Sequence, residues 1–364
     1  MAATRPETNS TNMETASRPI AARERRLSVG LVGVNPALPS FRLRLAPLVP
    51  LLQEGGHAAG VHALRGPEWW RVWRLAHVWR ASDLLVFSKL KLLPGELAFV
   101  ARLCPNWVLD VDDAIMFRKP PRHGEPPDQA RWRRRRFERM VRHCRLVVAA
   151  SHSLASTITP GAARIEVVPT PVHLASYPQA TLAGDEPLTL AWIGLGANLR
   201  YLSDLVPILR ELAREGVVAE LRVISDRLPD APGVPCRLVR WHEDTEGPAL
   251  ASCDVGLSPL PDDAWTRGKG AYRSIQYAAA GLPTVASPVG ANCEVVMHGE
   301  TGFWAATPAE WREALTRLRG DRALCRRMGA AARQRAQRYD TSVVATRYAE
   351  LLLLESEEHA TAGA

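Results

Sequence analysis

The chain reads as α/β: two doubly wound, Rossmann-like domains facing a central cleft. Three observations predict this. Short apolar runs alternate with helical stretches, the pattern of parallel sheets. The alternation breaks at 171–187, where Pro171, Pro178, Gly184 and Pro187 suit a linker, and then resumes. The 364 residues exceed what one compact core usually holds, and two domains of ordinary size fit.

In the first half, strands are expected near 27–34, 58–64, 83–88, 106–111, 145–150 and 165–168, separated by helices such as 42–54 and 128–143. Past the linker, Leu188-Thr-Leu-Ala-Trp-Ile-Gly194 is a buried strand ending in glycine, and strands follow near 218–224, 236–240, 253–258 and 283–286. The expected division is a disordered tail over 1–26, a first domain over 27–170, the linker, a second domain over 188–340, and a last segment over 341–364. Doubly wound sheets bind ligands at the carboxyl ends of their strands, so the cleft between two such sheets is the expected site.

Composition fits a soluble enzyme. Six scattered cysteines, with no Cys-x-x-Cys and no ligand-spaced histidines, read as reduced thiols of a cytoplasmic protein rather than a disulfide frame or zinc site. No apolar run is long enough to span a bilayer. Residues 1–26 are polar, basic in their last third, and lack a signal peptide's apolar centre.

The most informative stretch is 268–287, Gly-Lys-Gly-Ala-Tyr-Arg-Ser-Ile-Gln-Tyr-Ala-Ala-Ala-Gly-Leu-Pro-Thr-Val-Ala-Ser. Two glycines free the backbone around Lys269, and a helix then presents Arg273 and Gln276. On one continuous helix these three share a face, two cations beside an amide. Glycines and cations at a helix N-terminus form an anion site suited to a diphosphate. The plainer reading is an amphipathic helix whose cations meet only water.

The surrounding residues carry a resemblance. Asp254-Val-Gly-Leu-Ser-Pro-Leu-Pro-Asp-Asp-Ala-Trp-Thr-Arg-Gly-Lys leads into the helix. Gly281-Leu-Pro-Thr-Val-Ala-Ser-Pro-Val-Gly-Ala-Asn-Cys-Glu-Val-Val and His298-Gly-Glu-Thr-Gly-Phe-Trp follow it. This resembles the donor-binding half of the family 4 glycosyltransferases, which have the GT-B fold. It is nearest to the subgroup with an RGKC-x-x-K-x-x-QYMA-x-GLPVVASPVG motif. The resemblance implies transfer of a sugar from a nucleotide-sugar, a co-substrate, with retention at the anomeric carbon and no metal or other cofactor. It implies that Lys269 and Arg273 hold the phosphates and neutralise the departing diphosphate. Gln276 stands where many members have a ribose-gripping glutamate. The family's paired glutamates are absent, the first position falling on Gly268. Arg273 replaces the subgroup's usual lysine, which keeps charge and changes geometry. Gly194 and Gly196 would let backbone approach the donor, or form an ordinary strand-to-helix turn. Glu294 sits where the family's donor loop approaches the sugar. The last helix, 341–355, would cross back to the first domain.

Two signals lie in the first domain. Ser40-Phe41-Arg42-Leu43-Arg44 resembles the subgroup's S-S-R-Y-R-V, and Arg42 and Arg44 would hold an acidic acceptor or pair with carboxylates across the domain interface. Val108-Leu109-Asp110-Val111-Asp112-Asp113-Ala114 is a strand ending in carboxylates, where many members place a histidine. Asp112 or Asp113 would take the acceptor's proton or orient its hydroxyl; binding a divalent cation and pairing with Arg42 or Arg44 are the other readings. His57 reads as structural, and His152 as facing the cleft, capping or buried.

The net charge of +8 gathers partly in Arg131-Trp-Arg-Arg-Arg-Arg-Phe-Glu-Arg. On a wheel of 68–80, Trp69, Val72, Trp73, Leu75 and Trp79 form an apolar arc opposite Arg71 and Arg74. Together, 68–80 and 131–145 suit peripheral contact with an anionic membrane at its inner face, for a lipid-linked or polysaccharide acceptor of the cell envelope. The alternative is a helix packed on the first sheet. Nucleic acid is a weaker fit to the same surface, since no RNA- or DNA-reading module is evident. Without the glutamate pair, a non-catalytic GT-B protein that binds a nucleotide-sugar, or an epimerase or phosphorylase on the same fold, stays open.

Overall fold

The computed structural model describes residues 26–117, 131–158, 164–181, 184 and 186–362, with backbone alone for Trp69 and 357–362. The expected tail, apart from Arg26, lies outside the described residues. The first half contains β1 (Ser28–Gly33), α1 (Pro39–Arg44), α2 (Leu48–Glu54), β2 (Ala58–Ala63), α3 (Glu68–Arg74), α4 (Ala76–Ala81) and β3 (Leu84–Ser88). It continues with α5 (Pro94–Leu103), β4 (Trp107–Val111), α6 (Arg131–His143), β5 (Leu146–Ala149), α7 (His152–Ala155) and β6 (Arg164–Val167). All six strands are parallel, in the order β2-β1-β3-β4-β5-β6.

The second half contains β7 (Leu188–Ile193), a 3-10 segment (Gly196–Leu205), α8 (Val206–Arg214), β8 (Val218–Ser225), β9 (Cys236–Arg240), α9 (Glu243–Ala251) and β10 (Val255–Ser258). Then come α10 (Ala264–Arg267), α11 (Tyr272–Ala279), β11 (Thr284–Ala286), α12 (Asn292–Val295), β12 (Gly302–Trp304), α13 (Pro308–Gly320), α14 (Arg322–Ala336) and α15 (Thr341–Ala362). The second sheet is also parallel, ordered β12-β11-β10-β7-β8-β9. In each sheet the order reverses once, between β1 and β3 and between β7 and β10. The crevices where doubly wound sheets take ligands lie at those two points.

Strands buried on both faces read as continuous apolar runs, which is why most were visible in the sequence. Alternate residues of the first sheet enter different cores. Leu85, Phe87, Leu109 and Val147 join α3 to α6 on one face, while Leu84, Val86, Val108 and Val148 meet α1, α2 and α15 on the other. Tyr348, Leu352 and Leu353 place α15 within that second core. Part of the segment between β6 and β7 packs against the second domain. Tyr177 is buried in it, and a Cβ on Gly247 would lie 2.0 Å from the Ser176 carbonyl oxygen, so α9 rests directly on this backbone.

Two expected helices are altered. The helix over 42–54 is two, because Pro47 cannot continue the first; it becomes the N-cap of α2. The wheel over 68–80 is interrupted at Leu75, and its apolar residues divide, with the side chain of Trp69 outside the described residues. Val72 and Trp79 enter the core, whereas Trp73 turns outward and stacks on Phe99 with centroids 4.9 Å apart. Arg71, placed on the wet face by the wheel, instead pairs with buried Glu96 at 2.6 Å. All six cysteines are unpaired. No helix among the described residues is long and apolar enough to cross a membrane.

Candidate functional site

On the first domain's side, β3 and β4 end at the crevice. Lys89 directly follows β3 with φ of 52°, a left-handed backbone unusual for a side-chain-bearing residue. Its amide donates to the Asp110 carbonyl at 2.9 Å. Its Nζ lies 2.5 Å from Asp112 Oδ1 and 2.8 Å from Asp113 Oδ2. Both carboxylates therefore answer to a lysine that the motif reading missed, rather than to Arg42 or Arg44. A lysine immediately after a buried strand was the available signal. Among the described residues no group of three His, Cys, Asp or Glu is placed to hold a metal ion.

From the second domain, Lys269 reaches toward the same carboxylates. Its Nζ is 3.8 Å from Asp113 Oδ1 and 5.9 Å from the Trp265 ring centroid. The loop that carries it presses on the first domain. A Cβ on Gly268 would stand 2.4 Å from that of Ala114, and one on Gly270 would stand 3.4 Å from the Asp112 carbonyl oxygen. Contact between the domains by itself requires the glycine at 268.

The shared face of Lys269, Arg273 and Gln276 does not form. Ala271 is left-handed, with φ of 50°, and α11 starts only at Tyr272, so Lys269 belongs to the turn before it. No side chain caps the first turn of α11, and uncapped amides at a helix start suit an anion.

Arg273 leaves that turn toward the end of β7. Its Nε donates to the Ile193 carbonyl at 2.6 Å and its guanidinium lies 4.5 Å from the Trp192 ring centroid. A Cβ on Gly194 would come within 3.0 Å of Arg273 Nη2, which explains the glycine. Among the described residues no carboxylate pairs with Arg273, and burial pushes its pKa down. A half-buried cation held by one carbonyl and an indole lacks only an anion.

Gln276 points elsewhere. Buried, it donates to Glu246 Oε1 at 3.2 Å and to Tyr177 Oη at 3.3 Å, so it is not turned to a ribose. Glu246 also accepts from Trp241 Nε1 at 2.5 Å, and this network ties α11 to α9. Gly196 is committed as well. Its amide donates to Asp226 Oδ1 at 2.6 Å and helps hold that carboxyl below its usual range, and a Cβ would collide with it.

Glu294 does not face the cleft's centre. Its oxygens accept from the His152 amide at 3.0 Å, the Ser153 amide at 2.8 Å and Ser153 Oγ at 2.7 Å. It thereby caps α7 of the opposite domain, where a negative charge suits the uncapped amides. His152 stays exposed at that helix start, and His57 is buried, its Nδ1 accepting from the Leu27 amide at 3.3 Å.

The two arginines expected at an acceptor are spent on structure. Arg44 is sealed off, with Nη2 at 2.6 Å from Asp110 Oδ1 and Nη1 donating to the Val168 carbonyl at 2.8 Å. Tyr348 of α15 donates to the same Asp110 oxygen at 3.0 Å. Arg42 pairs with Glu243 of the second domain and lies 6.0 Å from the Trp241 ring centroid, one of the pairings across the interface that the sequence allowed.

A cavity of about 280 Å³ opens at the carboxyl ends of β10 and β11, lined by Tyr201, Asp204, Leu260, Asp262, Ser287 and Trp311 among others. Pro259–Asp262 and Ser287–Val289 of the quoted motif line it, but none of the residues given a catalytic, donor or acceptor role does.

Comparison with known proteins fits this geometry. Residues 191–321 match the family model described as glycosyl transferases group 1. No curated protein matches the chain. Among solved structures, the sucrose-phosphate synthase of Thermosynechococcus elongatus is similar with a TM-score of 0.69 at 14% identity, covering 93% of this chain and 100% of that one. HepE of Anabaena, solved with UDP and glucose, has a TM-score of 0.64 at 15% identity over 90% of this chain and 99% of its own. A glycosyltransferase of Rickettsia africae has a TM-score of 0.66 at 11% identity, covering 91% and 98%. The molecule has the GT-B fold, and most of its second domain matches the model of the group 1 glycosyl transferases.

Proposed function

We propose that the chain is a glycosyltransferase of the family 4 kind that takes its sugar from a nucleotide diphosphate sugar. One observation carries this reading: Arg273, half-buried at the end of β7 beside Gly194, has no carboxylate partner among the described residues. A diphosphate lying on Arg273 and the first turn of α11, with Lys269 opposite, supplies the missing charge. Cations fixed in advance at a leaving group lower the barrier by roughly 3–4 kcal/mol when one such donor is counted, and on this reading they serve in place of a metal. HepE, solved with UDP-glucose, and the pneumococcal O-GlcNAc transferase, solved with UDP and GlcNAc, support a uridine nucleotide-sugar as the first donor to try.

With retention, the acceptor oxygen bonds to the anomeric carbon on the face that the diphosphate leaves. The breaking C–O bond gives its electron pair to the phosphate oxygen, and that oxygen receives the hydroxyl proton. Asp113, between Lys89 and Lys269, orients the hydroxyl on this scheme. The acceptor is a lipid-linked sugar or a growing envelope polysaccharide.

A thermal-shift panel of UDP, GDP, ADP and dTDP sugars tests the donor, since a ligand of the native state raises its melting temperature. One nucleotide-sugar should raise it, and Arg273→Met should abolish that rise. No response to any of them overturns the reading. The commitment of Gln276 to Glu246 favours one other reading, a nucleotide-sugar binder without turnover. Binding with neither transfer nor slow donor hydrolysis would select it.

A further inference from the structure

The outward side of the first domain carries a surface that sugar transfer does not use. Trp70 and Trp73 of α3 are 48% and 60% exposed, and Trp132 of α6 is 51% exposed. Arg136 Nη1 lies 3.6 Å from Glu68 Oε1, which brings the start of α3 close to α6. Both bury their inner residues, Val72 and Phe137, in one core, so their outer sides belong to one face of the molecule. Residues 131–143 hold seven arginines against one glutamate, and Arg131, Arg134 and Arg135 are exposed. Lys91, at the inner edge of this field, feels Arg133 and Arg136 as like charges; burial and these neighbours pull its pKa down to about 8.

We propose that this face, built from Trp70, Trp73, Trp132 and the arginines of α6, docks on an anionic phospholipid bilayer. The charge is complementary, and tryptophan beside arginine suits the headgroup layer, where the ring enters the boundary and the guanidinium stays with phosphate. A nucleic acid would need open ring faces for stacking. Here Phe99 covers a face of Trp73 with only 11° between planes, while Arg133 and Arg136 lie 5.2 and 4.9 Å from the Trp132 centroid. Two of the three rings are thus already engaged by the protein's own side chains. Lys91 precedes α5 and sits between this face and Lys89, so a docked molecule holds the acceptor side of its cleft near the lipid.

Co-sedimentation of the full chain with vesicles tests docking without any donor, independently of the transferase reading. The protein should pellet with phosphatidylcholine containing about a third phosphatidylglycerol, stay in solution with phosphatidylcholine alone, and be released by high salt. Combined Trp70→Ser, Trp73→Ser and Trp132→Ser should weaken binding at least about tenfold with an unchanged melting temperature. Should that variant melt early, Arg131→Glu with Arg135→Glu, at exposed positions with all tryptophans kept, should give the same loss. Equal binding to neutral and anionic vesicles, full binding by either variant, or retention on single-stranded RNA with none on vesicles overturns the proposal.

Discussion

Arg44 and Arg273 show how differently the two domains use a buried guanidinium. Arg44, in the first domain, is matched at every side: Asp110 takes its charge, Val168 its second nitrogen, and Tyr348 completes the carboxylate. Arg273, in the second, has a carbonyl and an indole but, among the described residues, no counter-charge. Burying a cation without a partner is costly, so a fold keeps such a group where a ligand completes it. A saturated arginine is architecture; one left incomplete at a crevice is a candidate for a ligand.

The largest effect should come from breaking the saturated pair. Arg44→Ala strands Asp110 in the core and should cost about 3–5 kcal/mol, seen as a sharp fall in melting temperature. The folded remainder should bind nucleotide normally, and an unchanged melting temperature would show that the pair is not structural. The opposite is expected of the second domain. Lys269→Ala and Arg273→Ala should each lower kcat about 10²–10³-fold, and Arg273→Met should melt no lower than the parent protein because a desolvated charge is removed. Parallel loss of stability and turnover would erase the contrast between the two arginines.

A smaller effect tests the contact between domains. Glu294→Gln removes the charge that caps α7, worth on the order of 1 kcal/mol, and should speed hydrogen exchange of the His152 and Ser153 amides about fivefold. Unchanged exchange would mean that this cross-domain cap adds no protection. A pH-dependent effect concerns Lys91, whose pKa of about 8 lies below its ordinary value of 10.5. Between those values the unfolded chain binds more protons than the folded one, so this group makes stability rise with pH across that window. Lys91→Met should flatten that rise by comparison with the parent protein, and identical pH profiles would show that Lys91 is not desolvated.

Much of the fold was legible because parallel strands buried on both faces leave continuous apolar runs, as at Leu84–Ser88 and Leu188–Ile193. β12 escaped because Gly302–Trp304 is too short to make such a run. The resemblance carried by 254–304 agrees with the family model matched over 191–321, while Lys269 stands in the loop against the first domain and Arg273 at the end of β7. The directions of side chains were not legible. One left-handed residue, Ala271, separates Lys269 from α11 and undoes a helical wheel drawn through both. Gln276, Gly196, Glu294, Arg42 and Arg44 are claimed by Glu246, Asp226, the α7 amides, Glu243 and Asp110, partners that only the tertiary arrangement supplies.

By itself, then, the sequence determined two doubly wound sheets, the break between them and a glycine-flanked cationic loop, because strand runs, prolines and glycine-flanked cations act over neighbouring residues. Which charges are satisfied and which remain for a ligand was decided only in three dimensions. Arg44 meets Asp110 from 66 residues away and Glu294 meets Ser153 from 141 residues away. Electrostatic pairing depends on distance through space, and the distance along the chain carries no trace of it.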